Sequence, residues 1–240
     1  MSNFSPAEFD KSTRWRRLAH TLLPQRCALC AAPAGGSLLC TACALALPAL
    51  PPHCPQCASP TPAALNCGRC LAHPPAFVAT RCAHVYAYPL DGLVHALKYG
   101  GRVAYAEIFA AALAALPGPR PDGLVPLPLA RLRQRERGFN QAGEIARHLG
   151  RRLGVPIWPV LTRTRDTAPQ AALPWAARAG NVRGAFAAVR PLTGLRIAIV
   201  DDVMTTGATL DAAARVARAA GAVAVEAWVG ARTLPPDAHS

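Results

Sequence analysis

From about Phe77 onward, apolar and polar positions change period in blocks that read as strand, helix, strand. Phe77 to Tyr88 predicts a strand or hairpin, and Ala104 to Leu116 a helix. Leu124 to Leu127 predicts a short strand, followed by a basic loop, Arg131-Leu-Arg-Gln-Arg-Glu-Arg137. Asn140 predicts an N-cap for a helix whose apolar positions are Ala142, Ile145, Ala146, Leu149 and Leu153, with Gly154 as its stop. Thr162 to Arg183 has few periodic apolar residues and several Arg, Thr, Pro and Gln, and predicts a long loop or lid. Gly184 to Val189 and Leu195 to Val200 predict strands. Between Gly207 and Ala220 a helix is predicted with Leu210, Ala213, Ala214 and Ala217 inward, and Ala222 to Val229 is a closing strand. Strands alternating with helices predict a parallel sheet.

The first third of the chain has a different grammar. Cys27-x2-Cys30, nine residues and Cys40-x2-Cys43 are followed by Cys54-x2-Cys57, nine residues and Cys67-x2-Cys70. Shifting the first four by 27 positions lands on the second four, so the segment is an internal repeat. Each Cys-x2-Cys turns two thiolates onto one ion, and two such knuckles complete a closed tetrahedral site. Two consecutive structural sites follow, for zinc or another thiophilic metal such as iron, over about residues 24 to 75. The Ala/Pro/Gly stretches between the knuckles cannot build a core, whereas a structural zinc supplies roughly 10–16 kcal/mol of apparent binding free energy. Disulfides are the alternative, disfavoured in an intracellular chain. His53 and His73 flank knuckles and are read as loop residues; Cys82 breaks the repeat and is read as a small core residue.

Composition adds a size and a charge. The chain has 240 residues, 52% of them hydrophobic and only 16% charged, enough for one full core with a small satellite. No apolar run approaches the roughly 18 residues that span a bilayer, and Met1 to Pro24 has no apolar signal core. A cytoplasmic protein is expected. The domain reading is an N-terminal helical or flexible segment over 1–23, a double ribbon over 24–75 and an α/β domain over 76–240. The formal net charge is +13, and only Lys11 and Lys98 among its cations are lysines. From Arg131 to Arg190 twelve arginines stand against Glu136, Glu144 and Asp166. Arginine makes planar, two-pronged contacts with phosphate, so the surplus points to phosphorylated small molecules or nucleic acid.

The segment that carries chemistry is Ile197-Ala-Ile-Val-Asp-Asp-Val-Met-Thr-Thr-Gly-Ala-Thr-Leu210: an apolar strand, two adjacent carboxylates, a small-residue turn and a helix. In open α/β sheets ligands bind beyond the carboxyl ends of the strands. Free backbone N–H groups at the helix start, with the hydroxyls of Thr205, Thr206 and Thr209, predict an anion site whose natural occupant is phosphate. Gly207 lets the backbone approach the ligand. Asp201 and Asp202 accept hydrogen bonds from sugar hydroxyls or hold Mg²⁺ through water.

Val200-Asp-Asp-Val-Met-Thr-Thr-Gly-Ala-Thr209 resembles the phosphoribosyl pyrophosphate (PRPP) signature of type I phosphoribosyltransferases. Arg137-Gly-Phe-Asn-Gln141, Thr167-x-x-Gln170 and Asn181-Val-Arg-Gly-Ala-Phe186, behind a cysteine-rich N-terminus, resemble the ComF family in particular. The resemblance implies a type I phosphoribosyltransferase-like parallel sheet with flanking helices, preceded by a small double zinc ribbon. It implies that Asp201 and Asp202, the catalytic pair, hold the ribose hydroxyls while Thr205, Thr206, Gly207, Ala208 and Thr209 wrap the 5-phosphate, with Val203 also among the PRPP-binding residues. The turn after Val125-Pro-Leu-Pro128 takes the place of the pyrophosphate loop, and 162–183 that of a mobile hood. Arg131, Arg133, Arg137, Arg163 and Arg165 are the candidates for pyrophosphate or hood contacts.

The activity implied is a pentosyl (glycosyl) transfer, in nucleoside metabolism, from PRPP to an unidentified nitrogenous acceptor with Mg²⁺-assisted pyrophosphate release. The family's association with natural transformation implies single-stranded DNA and DNA-uptake proteins as partners. A non-catalytic PRPP sensor, or a competence factor that handles single-stranded DNA, is the competing reading. A third assigns the ribbons only a docking or dimer contact. Only 14 aromatic residues (Trp 4, Tyr 4, Phe 6) are present, and no stretch interleaves them with Arg as a base-stacking platform would.

Overall fold

The computed structural model describes residues 25–164 and 184–234; the segment 1–23, Arg165, the Thr167-x-x-Gln170 motif, most of the predicted hood and the start of the Asn181–Phe186 motif lie outside them. The chain divides into two units, Met1–Leu47 and Pro48–Ser240. The first contains one four-cysteine knuckle pair, and the second contains the other together with the whole α/β region.

The 27-residue repeat of the sequence is a repeat of backbone geometry. In the first copy Arg26 bridges Pro33, the Cys27 N–H donates to the Ala32 carbonyl at 2.8 Å, and Ala31 turns left-handed with φ 59°. In the second, His53 bridges Pro60, Cys54 N–H donates to the Ser59 carbonyl at 2.8 Å, and Ala58 has φ 56°. A one-and-a-half-turn helix follows the third cysteine of each: α1 (Thr41–Leu45) after Cys40 and α2 (Gly68–Ala72) after Cys67. Five-residue helices are not stable alone, so these turns need a further constraint.

In the second unit, strands β1 (Ala79–Val85), β2 (Gly123–Pro126), β5 (Arg196–Met204) and β6 (Ala224–Arg232) form an all-parallel sheet in the order β1-β6-β5-β2. Strands β3 (Leu161–Arg163) and β4 (Phe186–Ala188) pair antiparallel and frame the predicted hood, so Thr162 and Arg163 are strand rather than loop. The helices are α3 (Leu90–Tyr99), α4 (Ala106–Ala114), α5 (Arg131–Arg137), α6 (Gln141–Leu153) and α7 (Ala208–Ala219). Leu210, Ala213, Ala214 and Ala217 of α7 share a buried cluster with Ile197, Ile199, Val225, Ala227 and Val229 of the sheet. Helices α4 and α6 pack on one another and against the strands. A Cβ at Gly230 would lie 2.6 Å from the Phe109 ring of α4, so glycine is required where that helix crosses β6.

The last strand, β6, lies between β1 and β5 and is buried along nearly its whole length, as an interior parallel strand must be. Two sequence expectations need correction. The strand from Leu195 does not stop at Val200 but pairs through Met204, because β6 supplies backbone partners opposite the acids. The basic loop is helix α5; Arg, Leu, Gln and Glu are good helix formers, and Gly138 at φ 75° closes it with an N–H to the Gln134 carbonyl. No element is assigned from the sequence between Tyr88 and Ala104, where Leu90, Leu93, Val94 and Leu97, at helical spacing, are the buried face of α3.

The α6 reading holds at both ends. Asn140 Oδ1 accepts from Ala142 N–H at 3.1 Å and Gly154 closes the helix at φ 67°. The same Asn140 donates through Nδ2 to the Leu127 carbonyl at 3.0 Å, tethering the turn after β2. Asn140→Ala is therefore expected to lose a cap contributing about 1 kcal/mol and the tether as well. Asn140→Asp keeps the cap and loses the tether, so urea denaturation should rank wild type above Asp above Ala.

Candidate functional site

Two sets of thiols are preorganised. Cys27, Cys30, Cys40 and Cys43 form one and Cys54, Cys57, Cys67 and Cys70 the other, with all sulfurs of a set within 4.8 Å of one another. Among the described residues neither His53 nor His73 joins a set. Burial alone pushes Cys57 up, but hydrogen bonds from the Ser59 side chain and backbone and from Cys70 and Cys67 bring it to about 6. Burial, hydrogen bonding to Cys57 and the Cys57 charge drive Cys70 the opposite way. In the first set Cys43 is likewise pushed up to about 12, chiefly by hydrogen bonds to Cys30, Cys27 and Cys40. Four sulfurs this close cannot all ionise against one another without a cation, and four thiolates leave no open position for substrate. The donor sets fit two structural zinc-binding sites. Cys82 stays outside them, buried and pushed up to about 12 by desolvation.

The second site lies where β5 feeds α7. Met204 ends the strand, Thr205 and Thr206 turn, and Gly207 stands at φ 83° as the residue before the helix. A Cβ on Gly207 would sit 2.7 Å from Met204 Cε, so both the left-handed backbone and the close approach call for glycine. Thr206 Oγ1 accepts from Ala208 N–H at 3.2 Å, and Thr205, Thr206, Ala208 and Thr209 are all partly exposed. First-turn amides of an α-helix have no acceptor within the helix, and its dipole favours an anion there.

The acids are locked to their own backbone. Asp201 Oδ1 accepts from Asp202 N–H at 2.9 Å, and Asp202 Oδ1 from Val203 N–H at 2.6 Å. Asp202 is 6% exposed and pairs with Lys98 Nζ at 3.0 Å, which brings the end of α3 to the site. Burial alone would lower the Lys98 ammonium, but Asp202 and Asp201 outweigh it and hold it above its ordinary value. Asp201 is raised to about 7, first by desolvation and then by the Asp202 charge, against the pull of Lys98, the Asp202 amide and Arg163. Leu127 N–H donates to the Val200 carbonyl at 2.9 Å, so the turn after β2 starts beside the acid pair.

The arginine candidates separate. Arg137 reaches the site through α3: its guanidinium lies 4.8 Å over the Tyr99 ring and donates to Tyr99 Oη at 3.1 Å, next to Lys98. Arg163 acts electrostatically on Asp201 and lies 5.5 Å over the Phe186 ring. Arg133 shares the partly buried side of α5 with Arg137, whereas Arg131 lies on the exposed side. Lys98 both closes α3 and contacts the acid pair. Its signal is compositional, because one of only two lysines in an arginine-rich chain sits at the end of an amphipathic stretch. Arg232, fully buried beside the turn, is absent from the sequence reading altogether.

An acid whose pKa is raised on folding contributes most to stability below its unfolded value, near 4, and that contribution is lost as pH rises through about 7. Asp201→Asn keeps the oxygen that accepts from Asp202 and removes the charge. It is expected to raise Tm at pH 8 by a few degrees or more and to change it little at pH 4. A lower Tm at pH 8 would contradict this electrostatic account.

Known proteins resemble the chain in both regions. A double zinc ribbon domain family matches residues 18–71. DNA utilization protein YhgH of Salmonella typhi is 38% identical over 178 residues, covering 68% of this chain and 76% of the relative. YhgH of Escherichia coli K12 is 37% identical over 174 residues with the same coverage. Competence protein F of Haemophilus influenzae is 34% identical over 116 residues, 47% of this chain and 51% of that protein. Among solved structures, a purine phosphoribosyltransferase from Pyrococcus horikoshii aligns over 67% of this chain and 96% of its own at 16% identity and TM-score 0.31. A Bacillus subtilis glutamine PRPP amidotransferase complexed with ADP and GMP aligns over 54% of this chain and 26% of its own at 21% identity and TM-score 0.36. With a relative this similar covered over three quarters of its length, the chain belongs to the ComF family, the family of YhgH and Competence protein F.

Proposed function

We propose that the β5–α7 junction binds PRPP with Mg²⁺ and that the protein transfers the phosphoribosyl group to a nitrogenous acceptor, in the service of DNA handling in the cytoplasm. One observation carries this reading: an adjacent acid pair and a glycine turn that opens a twelve-residue helix meet at the end of a central parallel strand. The Asp202 charge, with burial, raises the Asp201 pKa and so costs folding stability at neutral pH, so a bare scaffold gains nothing from the pair. A vicinal diol, which offers two O–H donors, is the ligand they suit.

In this reading Asp201 and Asp202 grip the ribose hydroxyls, and Val203, Thr205, Thr206, Gly207, Ala208 and Thr209 enclose the 5-phosphate. Arg137 and Arg163, with Arg131 and Arg133 on α5 and Arg165 beyond β3, serve the pyrophosphate side. Transfer breaks the C1–O bond, whose electron pair leaves with pyrophosphate, while the acceptor nitrogen's lone pair forms the new C1–N bond and its proton leaves to solvent. Positive charge grows on the ribose, which the two carboxylates stabilise, and negative charge on the leaving group, which the arginines stabilise. Bound Mg²⁺, for which Asp201 and Asp202 supply oxygen donors, would add positive charge beside the departing pyrophosphate. The relatives named DNA utilization protein and Competence protein support a role with DNA, and a net charge of +13 suits a polyanion, single-stranded DNA with its uptake proteins.

Titration calorimetry with excess Mg²⁺ tests the site. Wild type is expected to bind PRPP with micromolar Kd. Asp201→Asn/Asp202→Asn removes two charge-assisted hydrogen bonds, about 3 kcal/mol or roughly 100-fold in affinity. Pyrophosphate release with a panel of nucleobases and nucleotides then tests transfer. A protein that binds PRPP and releases no pyrophosphate with any of them is a sensor, and one that binds no PRPP removes the reading.

A further inference from the structure

Arg232 ends β6, is 0% exposed and spends its guanidinium on uncharged acceptors from three separate segments. On one side Nε donates to the Cys57 carbonyl at 3.0 Å and Nη2 to Ser59 Oγ at 3.1 Å. Ser59 Oγ in turn lies 3.3 Å from Cys57 Sγ. On the other side Nη1 donates to the carbonyls of Met204, at 3.2 Å, and of Thr205. The neighbouring Thr233 carbonyl, at 2.7 Å, completes the fork. One rigid planar group thus joins the second four-cysteine set to the first residues of the turn between β5 and α7.

Charge gives the link a direction. A buried guanidinium among neutral carbonyls is costly unless an anion lies near. Four thiolates around a divalent ion leave a net charge of about −2, and the Cys57 knuckle touching Arg232 belongs to such a set. Loading the set therefore balances Arg232 and fixes the fork.

We propose that Arg232 is a positioning residue that couples metal occupancy at Cys54, Cys57, Cys67 and Cys70 to anion binding at the Thr205–Thr209 turn. The coupling rests on the reading of that turn as the PRPP site. It distinguishes the two halves of the repeat: the second metal set is linked to ligand binding, and the first has no counterpart of Arg232 among its described partners. Coupling free energies are reciprocal, so PRPP must raise the metal affinity of the second set by the factor with which that metal strengthens PRPP binding, typically 5- to 150-fold.

The test uses the zinc-loaded full chain, and calorimetry first establishes PRPP binding. Zinc affinity is then measured by equilibrium competition with a zinc-selective chromogenic chelator, with and without PRPP and excess Mg²⁺, and Cys40→Ser assigns the step that belongs to the second set. At saturating PRPP that step is expected to tighten at least 5-fold while the other is unchanged. Arg232→Lys keeps the charge but not the fork and should cut the tightening below twofold. Ser59→Ala, which removes one acceptor on the ribbon side, should lower it partially and serves where Arg232→Lys does not fold. A merely structural residue would alter both steps or neither, with or without ligand. Wild type that binds PRPP yet holds zinc at the second set with unchanged affinity overturns the coupling, as does full tightening in both variants. If wild type binds no PRPP, the functional reading itself has failed and the coupling falls with it.

Discussion

The parallel pairing of β5 with β6 is the constraint on which the rest depends. Its register sets Val200 opposite Trp228, Asp201 opposite Val229 and Met204 opposite Arg232. Because parallel strands enter in the same direction, both carboxyl ends arrive on one edge of the sheet, and the turn into α7 starts there. The same register carries the buried Arg232 guanidinium to the Met204 and Thr205 carbonyls. A one-residue slip would turn the acid side chains to the opposite face of the sheet and carry the arginine away from the turn.

The two ribbons show how one local geometry can serve two contexts. Bridges, left-handed alanines and short helices recur 27 residues apart, so the chain between knuckles is dictated by the need to present four sulfurs. The first copy belongs to the first unit. In the second, Cys54, Cys57, Ala58 and Cys70 join the same buried cluster as Phe77, Cys82 and Val229, and Thr80 Oγ1 donates to the Gln56 carbonyl at 2.6 Å. Metal at that set therefore supports a cluster that reaches the α/β core.

What was legible in the residues follows from the range of the forces involved. The cysteine spacing, the Asn140 cap, the Gly154 stop and the inward face of α7 are all set by neighbours within a few positions, and they appear as read. Long-range pairings were not legible. That β6 runs through the middle of the sheet, that β5 continues past the acids, and that Lys98 meets Asp202 across about a hundred residues are decided by packing. A local pattern records only that each piece is apolar enough or charged. Arg232 was the hardest, since an arginine at the end of a strand near a chain terminus reads as solvated, and its five acceptors come from three separate stretches.

The central claim is that the turn between β5 and α7 is where a sugar phosphate is held, and backbone amide exchange measures this most directly. With PRPP and Mg²⁺ added, the account predicts slowed exchange concentrated at residues 203–210, with a weaker effect at the turn after β2. Exchange unchanged across 203–210 while another surface becomes protected would contradict it.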